Sequence, residues 1–174
     1  MHVLVATDGE IETEAAADFA ATLAGTDGRV TVLTVIEVPR AFLQDMRSHF
    51  GGDGVPSVVA DYTYVETPKA QQEGPTGWPG DDALIERYLS DKLKQNTAPL
   101  VRALEERGIE AEARVVESEN VASTIIEQLV VIDAEVVVIG SHGQGLFQGL
   151  LGSTGTKIVR RSPRPVLLIR SAMP

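Results

Sequence analysis

The chain has 174 residues, enough for one domain with a full hydrophobic core. Hydrophobic residues make up 43% and charged residues 23%, and no apolar run approaches the ~18 residues that cross a bilayer, so we expect a globular protein without a membrane partner. The formal net charge of −10 argues against nucleic acid as a partner, and the absence of cysteine excludes disulfides, thiolate catalysis and cysteine-ligated zinc.

The N-terminal residues and the histidines indicate where the protein is located and whether it has a metal site. Residues 1–5 run straight into Asp8 without the basic and apolar regions of a secretory leader, which predicts a cytoplasmic protein. The three histidines, His2, His49 and His142, are far apart in the sequence. We therefore predict no dedicated metal site.

The first 38 residues predict a strand, a helix and a second strand. An almost continuously apolar run over residues 2–7 is typical of a strand covered on both faces. Apolar positions at helical spacing over about residues 10–24, including Phe19, predict a helix with an acidic first turn. A second strand is predicted over residues 30–38, where Pro39 ends it.

Residues 40 to about 82 form a long excursion from this pattern. Closely spaced glycines and prolines interrupt any sustained period, so we predict a lid-like or interface segment with a helical turn near residues 40–50. The alternative is a disordered insertion without a role. Trp78, the single tryptophan, is expected to anchor the excursion to the rest of one domain spanning residues 1–174.

The following segment predicts a helix, an edge strand and a second helix. The first helix covers residues 82–107, and Pro99 should kink or break it. Residues 109–115 alternate between apolar and charged side chains, which is typical of a strand at a sheet edge. Ser118 or Asn120 then caps the second helix.

Strands predicted over residues 135–139 and 165–169, with a helix ending near Arg161 between them, complete the chain. The regular alternation predicts an α/β fold: an open parallel sheet with helices on both faces and right-handed crossovers. Ligands of such sheets bind beyond the carboxyl ends of the strands, where the strand order reverses.

The richest motif is the glycine-rich stretch that follows the strand over residues 135–139. Five glycines lie between Gly140 and Gly152, and a helix start with hydroxyl side chains follows. Free backbone N–H groups at a helix N-terminus suit an anion, so the stretch predicts a phosphate site. The alternative is a flexible connecting loop. Lys157 and Arg161 either neutralise phosphate or form a solvated helix face.

Three stretches together resemble the universal stress protein family. They are residues 3–9, the sequence Gly140-Ser141-His142-Gly143, and residues 151–154 with the closing stretch 161–169. The resemblance implies a Rossmann-like five-stranded parallel sheet of order 3-2-1-4-5 and a homodimer. In one branch of the family it also implies ATP binding.

The resemblance further implies an ATP site, with Mg²⁺ accompanying the nucleotide, and assigns its residues by position. Asp8 and its neighbours would lie by the adenosine, Val35 would touch the adenine, and the glycines and hydroxyls would hold ribose and phosphates. For Asp8 the alternative is a cap of the first helix, and for His142 a solvated side chain. The ten residues implied are Ala6, Thr7, Asp8, Val35, Gly140, His142, Gly143, Gly152, Ser153 and Thr154.

Two departures from the family pattern are visible in the glycine-rich stretch. Eight residues separate Gly143 from Gly152, where the ATP-binding pattern has nine, and Gly155 stands where a larger residue is usual. The retained glycines favour an ATP-binding regulatory protein. The shorter spacing favours a dimeric interaction module of the same fold that binds no nucleotide.

The sequence argues against an efficient enzyme. It has no nucleophile–base pair at a known spacing and no Gly-x4-Gly-Lys-Ser/Thr phosphate loop, so we expect at most slow, incidental ATP hydrolysis. A hydrolase that uses the excursion as a lid has only the length of that excursion in its favour.

The last strand predicts a homodimer. Its core, Val166 to Ile169, is apolar on both faces and would lie at an edge of the sheet. An exposed apolar edge promotes aggregation unless another strand covers it. We therefore expect two copies to associate through this strand.

Overall fold

Five strands and four helices alternate along the residues that the computed structural model describes, which are 1–38, 81–141 and 151–170. The strands are β1 (His2–Ala6), β2 (Arg29–Ile36), β3 (Glu110–Glu117), β4 (Val136–Ser141) and β5 (Val166–Arg170). The helices are α1 (Thr13–Ala24), α2 (Asp81–Glu106), α3 (Val121–Val131) and α4 (Ser153–Arg161). The predicted helical turn over 40–50 and the anchoring role of Trp78 lie outside the described residues.

All five strands are parallel, as the sequence pattern predicts, and they lie in the order β3-β2-β1-β4-β5 that the resemblance implies. β1 is the central strand, and Leu4 is in register with Thr31 of β2 on one side and Val137 of β4 on the other. Every residue of β1 is buried, which is why its sequence is almost continuously apolar rather than alternating. The strand order reverses at β1, between its neighbours β2 and β4.

Helices cover both faces of the sheet, which confirms the predicted architecture. On one face Val3 and Val5 of β1 share a core cluster with residues of α1 and α2, such as Ala20 and Leu104. On the other face Leu4 belongs to a second cluster with residues of α3 and α4. Alternate residues of each strand therefore belong to two different apolar layers.

Helix α2 contains Pro99 and runs without a break from Asp81 to Glu106, so of the two effects predicted for Pro99, a kink or a break, the break is wrong. Proline removes one N–H donor and leaves the carbonyl of Gln95, four residues earlier, without its helical partner. Both Gln95 and Pro99 are exposed, so water can hydrate that carbonyl. The following turns are held by Leu100 and Leu104, which are fully buried in the core.

Helix α1 begins at Thr13, three residues later than the sequence pattern predicts. Its N-cap is Glu12, whose carboxylate accepts a hydrogen bond from Ala15 N at 2.6 Å. The alternative role of Asp8 as the helix cap is therefore wrong. Phe19 is 52% exposed, although the helical spacing placed it with the core residues.

By compactness the chain divides into two units, Met1–Glu37 with Asp91–Pro174, and Val38–Ser90. The first unit contains the whole sheet, α1, α3, α4 and most of α2, and the site below lies within it. The single domain with an excursion stays a prediction, since most of the second unit lies outside the described residues. No helix among the described residues is both long and apolar enough to cross a membrane.

Candidate functional site

A cleft of about 370 Å³ lies at the carboxyl ends of β1, β2 and β4, where the strand order reverses. Parallel α/β sheets bind ligands at this position because the crossovers leave the strand ends there uncovered. The volume falls in the range of small-molecule sites. The cleft is lined by Ala6, Thr7, Asp8, Leu33, Val35, Val121, Ile125, Ile139, Gly140, Gly152, Ser153, Thr154, Gly155 and Ile158.

The turn after β1 brings Asp8 to the cleft. Thr7 N donates to Leu33 O at 2.9 Å and so continues the pairing with β2. The chain then turns at Gly9, whose φ of +96° suits a residue without Cβ, and Gly9 N donates to Thr7 Oγ1 at 2.9 Å. Asp8 Oδ1 accepts from Glu10 N at 3.1 Å, which fixes the start of the loop.

One part of the cleft is apolar. Leu33 and Val35 contribute from β2, Val121 and Ile125 from the start of α3, Ile139 from β4 and Ile158 from α4. Of these the sequence predicted only Val35. Val121 and Ile125 carry a signal that the prediction did not use, because apolar residues four apart at the start of a crossover helix face the sheet end. Such a surface suits a flat aromatic ring.

Another part of the cleft is the N-terminus of α4. Gly152 is the N-cap and makes no side-chain capping bond, and the first intrahelical bond runs from Thr156 N to Gly152 O at 2.9 Å. The N–H groups of Ser153, Thr154 and Gly155 precede that bond and have no partner within the helix. Together with the helix dipole they suit an anionic group.

The two glycines at the start of α4, Gly152 and Gly155, differ in whether the neighbouring atoms leave room for a side chain. A Cβ added to Gly152 would meet no atom of the described residues within 4 Å, so the described core does not require glycine there, and Gly152 borders the open space of the cleft. A Cβ on Gly155 would lie 2.5 Å from Leu151 Cδ1 and 3.6 Å from Ile139 Cδ1. Gly155, the departure from the family pattern, is therefore needed for packing against Leu151.

Ser141, which follows the cleft residue Gly140, has a buried hydroxyl group. Its side chain is 4% exposed, and Oγ has no hydrogen-bond partner, the one such side-chain atom found in the described part of the chain. An unpaired buried hydroxyl is costly.

The charge of the cleft is low. Within the ranges that the structure describes, Asp8 is the only ionisable side chain in the lining, while Lys157 and Arg161 are exposed and lie outside it. These two cations therefore form the solvated face of α4. Over the same ranges no cluster of three or more His, Asp or Glu side chains is arranged to hold a metal.

Eight of the ten site residues predicted from the sequence meet around this one cleft, although they come from four separate elements. The other two, His142 and Gly143, lie outside the described residues, and so do the intervening glycines of the loop. The binding role of all ten stays a prediction. Those that line the cleft are Ala6, Thr7, Asp8, Val35, Gly140, Gly152, Ser153 and Thr154.

The topology and the position of the cleft define a doubly wound α/β protein with a candidate ligand site at its topological switch point. The chain matches the model of the Universal stress protein family over residues 1–51 and 58–170, and it belongs to that family. It is 33% identical over 173 residues to the universal stress protein Rv2005c of Mycobacterium tuberculosis. The match covers 97% of this chain and 48% of the relative, so the chain spans about half the relative's length.

Solved structures of universal stress proteins share the fold. One from Archaeoglobus fulgidus, in complex with dAMP, has a TM-score of 0.55 and 20% identity over 98% of each chain. One from Arabidopsis thaliana, with AMP bound, has a TM-score of 0.53 and 16% identity over 99% of this chain and 93% of that one. A third, in complex with cAMP, has a TM-score of 0.50 and 18% identity over 99% and 98%.

Proposed function

We propose that the cleft binds an adenine nucleotide and that the chain acts as a stress-response or regulatory protein. The observation that carries the proposal is the meeting of an apolar wall, a carboxylate and a free helix N-terminus around one cleft of about 370 Å³. These are the three environments that a base, a ribose and a phosphate require. The nucleotide-bound relatives of the same fold support it.

We infer the orientation of the proposed ligand from its lining. Val35 lies on β2, on one side of β1, whereas Gly152 and Ser153 lie at the N-terminus of α4, which follows β4 on the other side. The adenine therefore lies against the β2 side and the phosphates at the α4 N-terminus. Asp8, at the end of the central strand, lies between them and accepts hydrogen bonds from the ribose hydroxyls.

ATP with Mg²⁺ is the nucleotide that we propose. The backbone N–H groups of α4 hold phosphate without formal charge, and the sequence over residues 142–150 contains no lysine or arginine. A divalent cation bound to the phosphates would offset their charge beside Asp8. Residues of the protein would hold the nucleotide, and the nucleotide would bring the metal.

The proposed function is binding rather than catalysis. No nucleophile lies beside a base among the described residues of the cleft, whose only titratable group is Asp8. The helix N-terminus positions phosphate but supplies no proton transfer. Any ATP hydrolysis is then slow and incidental, and a cytoplasmic location remains the prediction from the sequence.

A second candidate is a dimeric interaction module that binds no nucleotide. It is favoured by the spacing of eight rather than nine residues between Gly143 and Gly152. In this case the cleft is an unoccupied feature of the fold, and the function resides in the dimer and its partners.

The homodimer is proposed from the contrast between the two edges of the sheet. The β3 edge carries charged side chains, including the ion pair of Arg114 with Glu112 at 3.0 Å, which discourages strand addition. The β5 edge carries none before Arg170, and its residues Val166 and Leu168 are only half-buried. We propose that a second copy pairs with β5.

The deciding experiment is a thermal-shift and calorimetric comparison of ATP with Mg²⁺, AMP, adenosine and GTP. A ligand that binds only the folded state raises the melting temperature by mass action, so ATP with Mg²⁺ should give the largest shift and GTP none. Mass spectrometry of the purified protein tests for a co-purifying nucleotide. If ATP gives no shift and insertion of one residue after Gly149 creates one, the interaction module is the function.

A further inference from the structure

We propose that Asn96 is a positioning residue for Asp8, and that through it helix α2 is coupled to the nucleotide cleft. Asn96 does not line the cleft, and α2 packs against the opposite face of the sheet from α3 and α4. The inference deepens the proposed function and rests on it for its ligand. The positioning itself is a property of the protein without nucleotide.

Asn96 is a buried amide in the interior of α2. It is 9% exposed, and its Nδ2 donates to Thr34 Oγ1 of β2 at 2.9 Å in a buried hydrogen bond. Asparagine is a weak helix former, and a buried amide is costly unless it is hydrogen-bonded. The bond to Thr34 satisfies part of the amide and fixes the direction of the rest of the side chain.

The carbonyl end of this amide lies close to the turn after β1. A Cβ added to Gly9 would lie 3.2 Å from Asn96 Oδ1 and 3.4 Å from Asn96 Cα. Gly9 also has a φ of +96°, which side-chain-bearing residues rarely adopt. Asn96 therefore packs close to the backbone of this turn and limits where Gly9 can lie.

Hydrogen bonds within the turn link the position of Gly9 to that of Asp8. Gly9 N donates to Thr7 Oγ1 at 2.9 Å, and Glu10 N donates to Asp8 Oδ1 at 3.1 Å. Both bonds fix Asp8 relative to Gly9, so a displacement of Gly9 changes where the Asp8 carboxylate lies in the cleft. The route from α2 to the ligand is thus Asn96, Gly9 and Asp8.

A consequence is reciprocal coupling. If a partner or a change of state displaces α2, the affinity for nucleotide changes, and nucleotide binding at Asp8 biases α2 by the same factor. The coupling needs no rearrangement of the sheet, because the proposed route runs through the turn after β1.

A double-mutant cycle tests the proposal. Nucleotide affinity is measured by calorimetry with ATP and Mg²⁺ for the wild type, Asn96→Ala, Asp8→Ala and the double variant. We expect Asn96→Ala to weaken binding roughly tenfold in the presence of Asp8 and to have no effect in the Asp8→Ala background, since residues coupled through a shared backbone shift are non-additive. Equal losses in both backgrounds, or no loss in either, would overturn the proposal.

Two matched variants separate positioning from loss of stability. Gln95→Ala changes the adjacent, exposed residue of α2 and should leave affinity unchanged. Thr34→Val removes the hydrogen bond but leaves the contact between Asn96 and Gly9, so its effect should be smaller than that of Asn96→Ala. Asn96→Ser replaces Asn96→Ala in the cycle if the alanine variant does not fold.

A measurement without nucleotide distinguishes this proposal from the function on which it rests. The amide resonances of Gly9 and Glu10 in ¹H–¹⁵N spectra should shift in Asn96→Ala and stay in place in Gln95→Ala. If the wild type binds no nucleotide but these resonances shift, the proposed function fails and the positioning stands. If they do not shift, Asn96 does not position the turn, whatever the protein binds.

Discussion

His2 Nε2 and Thr31 Oγ1 lie 2.9 Å apart in the buried end of the sheet opposite the cleft. His2 Nδ1 lies 3.1 Å from Ile132 O, a carbonyl that can only accept, so Nδ1 carries a proton and neutral Nε2 accepts from the Thr31 hydroxyl. A charged ring would have to donate at both nitrogens. Burial is the largest cause that lowers the pKa of His2, and the positive charge of Arg29 lowers it further.

This arrangement predicts a loss of stability in weak acid. Because the folded pKa of His2 lies below the unfolded value of about 6.5, the unfolded chain binds the proton first. The contribution of neutral His2 to the free energy of unfolding is complete above that pH and is lost as the pH falls towards the lowered folded pKa. The slope of this loss is at most about 1.4 kcal/mol per pH unit. The measurement is the unfolding free energy of the wild type minus that of His2→Asn between pH 7.5 and 5. A difference that is flat, or grows as the pH falls, would contradict it.

Replacing Asp8 should affect binding more than folding. Glu12, not Asp8, caps α1, so Asp8→Ala should leave the melting temperature nearly unchanged while nucleotide affinity falls roughly tenfold. Glu12→Ala is the matched control and should show the reverse: a loss of about 0.5–2 kcal/mol in stability with unchanged affinity. Calorimetry and chemical denaturation of both variants are the measurements. Unchanged affinity in Asp8→Ala would remove Asp8 from the site.

A larger side chain at Gly152 should abolish nucleotide binding without disturbing the packing of the core. The position has φ −60° and ψ 170°, which any residue adopts, and a Cβ there meets no atom of the described residues within 4 Å. Gly152→Val should therefore remove the thermal shift by ATP while the variant folds normally. Gly155→Val is the contrasting control, since its side chain would clash with Leu151 and lower stability in the absence of ligand. Full ATP affinity in Gly152→Val would place the phosphates elsewhere.

Removing the Ser141 hydroxyl should stabilise the protein without ligand. Ser141→Ala eliminates a buried oxygen that has no partner, and the expected gain is on the order of 1 kcal/mol. Denaturant unfolding with and without ATP measures it. If the gain disappears with ATP, the hydroxyl contacts the ligand. A loss of stability in the ligand-free protein would show that the hydroxyl has a partner.

The proposed dimer depends on the outward-facing backbone of β5. Val137 N donates to Pro165 O, and alternate residues of a parallel strand bond to the same neighbour, so the N–H of Leu168 faces away from β4. Leu168→Pro removes that donor, whereas Leu168→Ala shortens the same side chain and keeps it. Light scattering should give a dimer for the wild type and Leu168→Ala and a monomer for Leu168→Pro. Identical masses for the two variants would contradict pairing through this edge.

The sequence predicted the sheet because its evidence is local and periodic. The all-apolar run of β1 indicates a strand that is buried on both faces. The alternation around Glu110 and Glu112 indicates burial on one face, and it predicted that β3 lies at an edge of the sheet. Pro99 misled the prediction, because propensity does not include the packing of Leu100 and Leu104 that holds α2 together.

The site was predicted mainly through the family resemblance, which assigned Asp8, Val35 and Gly152 by position. The residues alone indicated only a phosphate site in the glycine-rich stretch and a carboxylate at the end of β1. Val121 and Ile125 were missed, because an apolar residue that lines a cleft looks in sequence like one that fills a core. Asn96 gave no signal at all, since its partners Thr34 and Gly9 are distant in the chain and meet only in the fold.

The cleft lining runs along the chain from Ala6 to Ile158, although its members meet in one place. A growing polypeptide cannot assemble the cleft until the ribosome has released α4. Occupancy of the cleft would thus report that all elements of its lining have been synthesised and have folded together. In a cell, the proposed nucleotide would stabilise chains in which the cleft is assembled and not those in which α4 is still missing.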